Sequence, residues 1–233
     1  INLASPDDEL WNKSIGLMTI EIERCEALGI GAVVHHPGAY TTSDANAGLT
    51  RIAKAYKQLL QNTKGFNTVV CLEDTVGSGS NLGRTFDELA DLRARIVDQT
   101  GEGDRVGFCL DTCHMHAGGY DISTRTKAEA VLREFDQLCG LSNVKALHFN
   151  DSLKDAGSRK DRHAHIGEGT IARKDGLESG AKIPLAETGF AAFANEPAFA
   201  SLPKILETPK EDSPKGTPMD TINVRRLRKL QSA

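Results

Sequence analysis

Apolar runs and polar residues alternate along this chain, and five of the runs end in a side chain of a metal-binding type. Ala32, Val33 and Val34 lead to His36, residues 68–70 to Glu73, residues 106–108 to Asp111, residues 144–147 to His148, and Ile205 with Leu206 to Glu207. A short continuous apolar run is the pattern of a strand buried on both faces. Between the runs, apolar residues recur at spacings of three and four, as on one face of a helix. Trp11, Ile15, Met18, Ile22 and Cys25 form the first such stripe, with Gly29 behind it as a left-handed cap. Ile52, Tyr56 and Leu59 form the second, Phe86, Leu89 and Ile96 the third, and residues 128–139, closed by Gly140, the fourth. Strand and helix in alternation predict parallel βα units. Strands that each deliver a polar group at their C-terminal end predict the active-site face of a βα-barrel.

One buried His or Asp closing a strand is ordinarily a hydrogen-bonded structural residue. Five together are another matter, because burying so many charges without a cation is costly.

Two later segments break the rhythm. Residues 150–170 are polar and rich in His, Arg and Gly, and read as a functional loop with a strand only near residues 164–167. Residues 171–188 read as an exposed excursion with turns at Gly176, Gly180 and Pro184. Beyond Pro209 the chain is rich in Lys, Pro and Asp and ends in a short basic helix over 223–231, with Arg225, Arg226, Arg228 and Lys229 on an exposed face. No linker divides the 233 residues, so a single domain over 1–233 is expected.

The formal charge of −4 carries no global nucleic-acid signature, although bound divalent ions would reverse the local field. No stretch is apolar enough to span a membrane, and a soluble protein is expected. The five cysteines, Cys25, Cys71, Cys109, Cys113 and Cys139, are odd in number and irregular in spacing, which argues against a disulfide framework. Cys25, Cys71, Cys109 and Cys139 read as small buried hydrophobes; Cys113, between Asp111 and His114, is a minor ligand candidate, since no CxxC partner accompanies it.

The candidate ligands are His36, Glu73, Asp111, His114, His148, Asp161, His163 and Glu207, four imidazoles and four carboxylates. One ion cannot use eight side chains, so two or three ions with bridging carboxylates are expected. Three divalent ions against four carboxylates leave about +2, a site suited to a phosphodiester. A mixed N/O set without thiolate favours Zn²⁺, with Mn²⁺ or Fe²⁺ as alternatives where carboxylates dominate. His35 and His116 neighbour ligands without an obvious partner, and His165 reads as a loop residue.

Three stretches carry a family resemblance. They are Cys71-Leu-Glu73-Asp-Thr-Val-Gly-Ser-Gly-Ser-Asn-Leu-Gly83, Leu110-Asp111-Thr-Cys-His114 with Gly119-Tyr120-Asp121, and His148-Phe-Asn-Asp151 through Gly157-Ser-Arg159 and Asp161-Arg-His163 to Gly167-Glu168-Gly169. Together they resemble the endonuclease IV family of apurinic/apyrimidinic endonucleases. Residues 77–83 alone would be a poor phosphate loop, since no Lys-Ser/Thr pair follows.

The resemblance implies an α/β TIM barrel with three zinc ions that cleaves double-stranded DNA 5′ to abasic sites in base excision repair, with 3′-end cleaning. It implies Glu73 as the carboxylate bridging the first two ions, His36 on the first, Asp111, His148 and Glu207 on the second, and His114, Asp161 and His163 on the third. Water is then the nucleophile, and Glu207 orients or deprotonates it. Arg159, Lys160 and Arg162, with Lys154, are candidate DNA contacts. A monomer is expected, cytoplasmic in a bacterium and nuclear or mitochondrial in a eukaryote.

The family carries a further zinc-binding His and a pair of DNA-wedging side chains upstream of the segment matching Ile1, along with the first strand and helix. A fragment of a longer polypeptide is therefore expected, with an N-terminally incomplete barrel, an under-ligated first ion and weak cleavage. Residues 173–183 exceed the family's usual connection. A sugar isomerase or epimerase on a related metal-dependent barrel is the alternative enzyme, and the Asp161-Arg162-His163 loop argues against it. A non-catalytic damaged-DNA binder is the third reading.

Overall fold

The computed structural model describes residues 1–174 and 180–231. The chain forms two compact units, residues 1–109 with 138–146, and residues 110–137 with those from Leu147 onward.

The first unit begins with α1 (Asp8–Ala27), β1 (Ala32–His35), α2 (Ala45–Asn62), β2 (Val69–Glu73) and α3 (Phe86–Thr100). Side-chain caps start its helices: Asp7, Asp44 and Thr85 accept from the amides of Leu10, Ala47 and Glu88. Gly29 and Gly101 end α1 and α3 with φ of 68° and 71°, the left-handed region that glycine enters freely. The predicted stripes face inward: Ile15, Met18 and Ile22 on α1, Ile52, Tyr56 and Leu59 on α2, and Phe86, Leu89 and Ile96 on α3 are buried. Trp11 and Cys25 at the ends of the first stripe are only partly covered; the Arg51 guanidinium stacks 4.7 Å from the Trp11 ring.

Hydrogen bonding orders this unit's strands β1, β2, β3 (Val106–Asp111) and β4 (Val144–His148). The parallel register sets Ala32 against Val69 and Val70 against Val106. Cys71, Cys109 and Ala146 form a buried layer on which Ala32, Val34 and Val69 pack. Side chains alternate between faces along a strand. On each strand the residue two positions past this layer is the polar one: His36 after Val34, Glu73 after Cys71, Asp111 after Cys109, His148 after Ala146.

Arg105 ties the strand bases together. Its buried guanidinium donates to the Thr68 carbonyl (2.8 Å), the Thr63 carbonyl (3.1 Å) and the Thr63 hydroxyl (3.1 Å).

The second unit holds α4 (Thr112–Gly118), most of α5 (Arg125–Cys139), β5 (Asp151–Ser152), β6 (His163–Ala164), α6 (Gly189–Asn195), β7 (Lys204–Ile205) and α7 (Met219–Leu230). The last two residues of β4 pair in parallel with β7, and β5 pairs antiparallel with β6. Helices α4 and α6 have no counterpart in the apolar periodicity. Both are short, and all of their residues but Asn195 are buried, so neither has a polar face to set a period.

Four expectations need correction. Asn150, Asp151 and Ser152 open the segment read as a polar loop, yet have no exposed surface, because their polar groups are hydrogen-bonded. Residues 171–188 are not wholly exposed: Ile171, Ala172 and Thr188 are buried, and the Ile183 amide returns to the Ala172 carbonyl at 2.9 Å. The turn expected at Gly176 lies outside the described residues. Helix α7 starts at Met219, earlier than expected, because Pro218 precedes its first turn and Met219 is itself buried. Arg226 is not a plain surface cation: it donates to the Ile166 carbonyl (2.6 Å) and pairs with Glu168 (2.9 Å).

Asp151 organises the loop of this unit. Oδ1 accepts from the amides of Ser152 (2.8 Å) and Ile171 (3.0 Å), and Oδ2 from those of Gly167 and Gly169 (3.0 Å each). Gly169 has no room for a side chain, since a Cβ there would strike the Asp151 carboxylate and the Ser152 carbonyl. Burial pushes the Asp151 pKa up to about 6, against the pull of its amide donors.

Arg105→Lys gives up the fork geometry and should destabilise the protein by about 2–4 kcal/mol in urea denaturation, with an unchanged midpoint refuting the role given to Arg105. Asp151→Asn offers one acceptor oxygen and turns an NH₂ toward two amide donors, so it should cost about 2–4 kcal/mol. Hydrogen exchange at the Gly167 and Gly169 amides should speed up in that variant; wild-type protection there would show that the carboxylate does not hold the loop.

Candidate metal centre

In the first unit, His36 and Glu73 form a pair. Glu73 ends β2 and is buried, His36 follows β1 and is exposed, and His36 Nε2 lies 3.3 Å from Glu73 Oε2. Next to them, His35 finds partners invisible in the sequence: its ring nitrogens contact the Tyr56 hydroxyl and the His36 carbonyl, each at 2.7 Å.

The second unit brings together the other six predicted ligands. Asp111, fully buried at the end of β3, caps α4 by accepting from the His114 amide at 2.9 Å. That cap directs His114 inward, where its Nε2 lies 3.2 Å from Asp161 Oδ2. The loop carrying Asp161 is strapped over α4: the Gly157 amide donates to the His116 carbonyl (3.0 Å) and the Arg159 amide to the Ala117 carbonyl (2.8 Å). Antiparallel β5 and β6 then return the chain so that His163 Nε2 lies 3.2 Å from Asp161 Oδ1. His163 Nδ1 contacts the Glu207 carbonyl at 3.2 Å, and its Nε2 lies 3.9 Å from Asp111 Oδ2. At the end of β4, His148 Nδ1 lies 3.3 Å from Glu207 Oε2 and 3.8 Å from Asp111 Oδ2.

The charges are strongly coupled. Contacts from His114 first, and then from His163, hold the Asp161 carboxyl far below the usual carboxylate range. Burial alone would depress His163, but Asp161, Asp111 and the Glu207 carbonyl raise its pKa above the ordinary value.

This spacing fits a metal ion. Two ligand atoms about 2.05 Å from a tetrahedral zinc lie about 3.3 Å apart. The His36–Glu73, His114–Asp161, His163–Asp161 and His148–Glu207 pairs stand at 3.2–3.3 Å, longer than the roughly 2.8 Å of a charge-assisted hydrogen bond. His114, Asp161 and His163 each offer a ligand atom within 4.8 Å of the others. The donors are imidazole nitrogens and carboxylate oxygens, the set that Zn²⁺ and Mn²⁺ share.

The remaining histidines and cysteines are structural. His165 is buried between Glu211 (3.0 Å) and Asn223 (3.1 Å), and His116 is buried 4.0 Å from Asp121. None of the five cysteines, all among the described residues, is in a disulfide. Cys113 lies within reach of Asp111 and His163, but burial and then the Asp111 charge raise its thiol pKa well above the ordinary value, which disfavours the thiolate a metal needs. Asn150 and Thr112 were missed by sequence reasoning. Their only signal was a polar residue placed directly beyond a strand end, within the His-Phe-Asn-Asp and Asp-Thr-Cys-His runs.

Among known proteins, the family described as a xylose isomerase-like TIM barrel matches residues 1–179. The probable endonuclease 4 of Chloroflexus aurantiacus is 45% identical over 231 residues, covering 99% of this chain and 73% of that protein. That of Trichlorobacter lovleyi is 42% identical over 230 residues, covering 99% and 74%. The crystal structure of endonuclease IV from Thermus thermophilus superposes with a TM-score of 0.76 at 30% identity, over 100% of this chain and 72% of that one. A D-tagatose 3-epimerase-like protein reaches 0.67 at 18% identity over 75% of its length, which shows a shared fold and nothing about chemistry. At these identities and coverages, this chain belongs to the endonuclease IV family of TIM-barrel enzymes.

Proposed function

We propose that this chain is an AP endonuclease of base excision repair, a zinc-dependent phosphodiesterase that cuts double-stranded DNA 5′ to abasic sites and cleans 3′ ends, with Mn²⁺ as an alternative metal. The observation that carries this reading is the compact set that His114 of α4 makes with Asp161 and His163 of the Asp-Arg-His loop, for which a sugar isomerase has no evident need. The protein is proposed to act as a monomer, in the cytoplasm of a bacterial cell, where the DNA is.

His36 and Glu73 are assigned to the first ion, Asp111, His148 and Glu207 to the second, and His114, Asp161 and His163 to the third. Glu73 would hold the first ion with His36, a role that rests on its motif and on their 3.3 Å pairing. Bound divalent ions supply Lewis-acid charge to phosphoryl oxygens and lower the pKa of water toward neutrality. Glu207, exposed and 3.3 Å from His148 through Oε2, orients the attacking water and accepts its proton. Arg159, Lys160 and Arg162 lie exposed on the loop that also carries Asp161, beside the third ligand set, and contact the DNA backbone. Arg159 has a φ of 56°, a left-handed conformation that costs a non-glycine residue about 1 kcal/mol and turns the loop there.

The direct test is a nicking assay on a duplex with one abasic site. Incision on the 5′ side that leaves a 3′-hydroxyl, stops with a chelator and returns with Zn²⁺ is expected; ketose epimerisation without nicking would replace this reading with the isomerase one. Glu73→Gln keeps the shape and removes the charge, so it should abolish nicking and lower the zinc found by elemental analysis. Unaltered activity in that variant would be incompatible with a metal-holding role. Arg162→Ala and Lys160→Ala should each weaken DNA binding at all sequences and reduce the slope of log Kd against log salt by about 1. An unchanged slope would remove that residue from the interface.

A further inference from the structure

We propose that Asn150 is a positioning residue for the metal centre, one carboxamide that sets both carboxylate ligands of the second ion, Asp111 and Glu207, before the ion arrives. The inference rests on the metal reading above and concerns a side chain that is not itself a ligand.

Asn150 lies two residues beyond His148 and has no exposed surface. Its Nδ2 donates to Asp111 Oδ2 at 2.6 Å, and its Oδ1 accepts from the Glu207 amide at 2.8 Å. The residue is itself pinned at both backbone groups: its N–H donates to Thr112 Oγ1 at 2.9 Å, and that hydroxyl donates to its carbonyl at 2.7 Å. One amide therefore links the ends of β3, β4 and β7.

The orientation is forced. Reversing the amide would set oxygen against the Asp111 carboxylate and NH₂ against the Glu207 N–H, losing both bonds. An aspartate there could accept from Glu207 but not donate to Asp111 at neutral pH. A neutral donor has a further effect: it fixes the plane of the Asp111 carboxylate while leaving the full negative charge for a cation. His148 Nδ1 lies 3.8 Å from the same Oδ2 and 3.3 Å from Glu207 Oε2, so the three ligands of that ion converge in a set held from behind. Partners of this kind behind metal ligands are worth about 10–100-fold in affinity.

The test titrates the full chain with Zn²⁺ against a competing chelator, for wild type, Asn150→Ala and Thr112→Val. Asn150→Ala should weaken one ion about 10–100-fold and leave the others unchanged, with circular dichroism and melting showing a folded protein. On abasic duplex its kcat should fall while KM holds, because the loop cations that bind DNA are untouched. Thr112→Val keeps the carboxamide but frees its backbone, and a smaller loss at the same ion is expected. If Asn150→Ala fails to fold, Thr112→Val decides. Wild-type affinity at every ion in the folded variant would overturn the assignment of Asn150 while leaving the metal reading intact. A wild-type chain that takes up no zinc would overturn both.

Discussion

Asp111 is a carboxylate with no exposed surface, and the second unit is arranged around satisfying it. A buried charge left without donors costs several kcal/mol, so its partners are fixed as firmly as it is. One oxygen caps α4 and thereby aims His114; the other takes the Asn150 amide, which in turn holds the Glu207 backbone. His148 and His163 both stand within 4 Å of that second oxygen. A helix start, a strand end and a loop are thus referred to one side chain.

Asp151, one residue past Asn150, meets the same constraint differently. Its four donors are all backbone amides, and it builds the loop instead of joining the ligand set. The alternation of a strand continued past its end sends the two neighbours opposite ways, Asn150 toward the ligands and Asp151 toward residues 167–171. Polar residues here do what apolar contacts do elsewhere: each is enclosed because each is bonded. The fold is shared with an epimerase-like protein at 18% identity, so the architecture alone says little about chemistry. The loop that Asp151 anchors carries Asp161 and His163.

Much of the architecture was legible in the chain. The inward stripes of α1, α2 and α3 and the strands ending at Glu73, Asp111 and His148 follow from spacing of three, four and two residues, a local property that packing reads out without altering. The polar side chains at those strand ends were legible for the same reason, since Glu73, Asp111 and His148 each stand two positions past a buried small residue, Cys71, Cys109 and Ala146. By contrast, α4 and α6 lacked a period, and the burial of residues 150–152 ran against their composition.

Sequence by itself determined which side chains end the strands, the donor types among them and the membership of a family, because all three are written in short runs of neighbouring residues. Tertiary structure alone decided which polar residues are enclosed and by whom. His165 meets Asn223 across 58 residues, Arg226 meets Ile166 across 60, and Asn150 joins Asp111 to Glu207 across 39 and 57. The physical reason is that an apolar side chain is buried by its own transfer energy, whereas a polar one is buried only where the fold delivers a partner, and no local pattern records that partner.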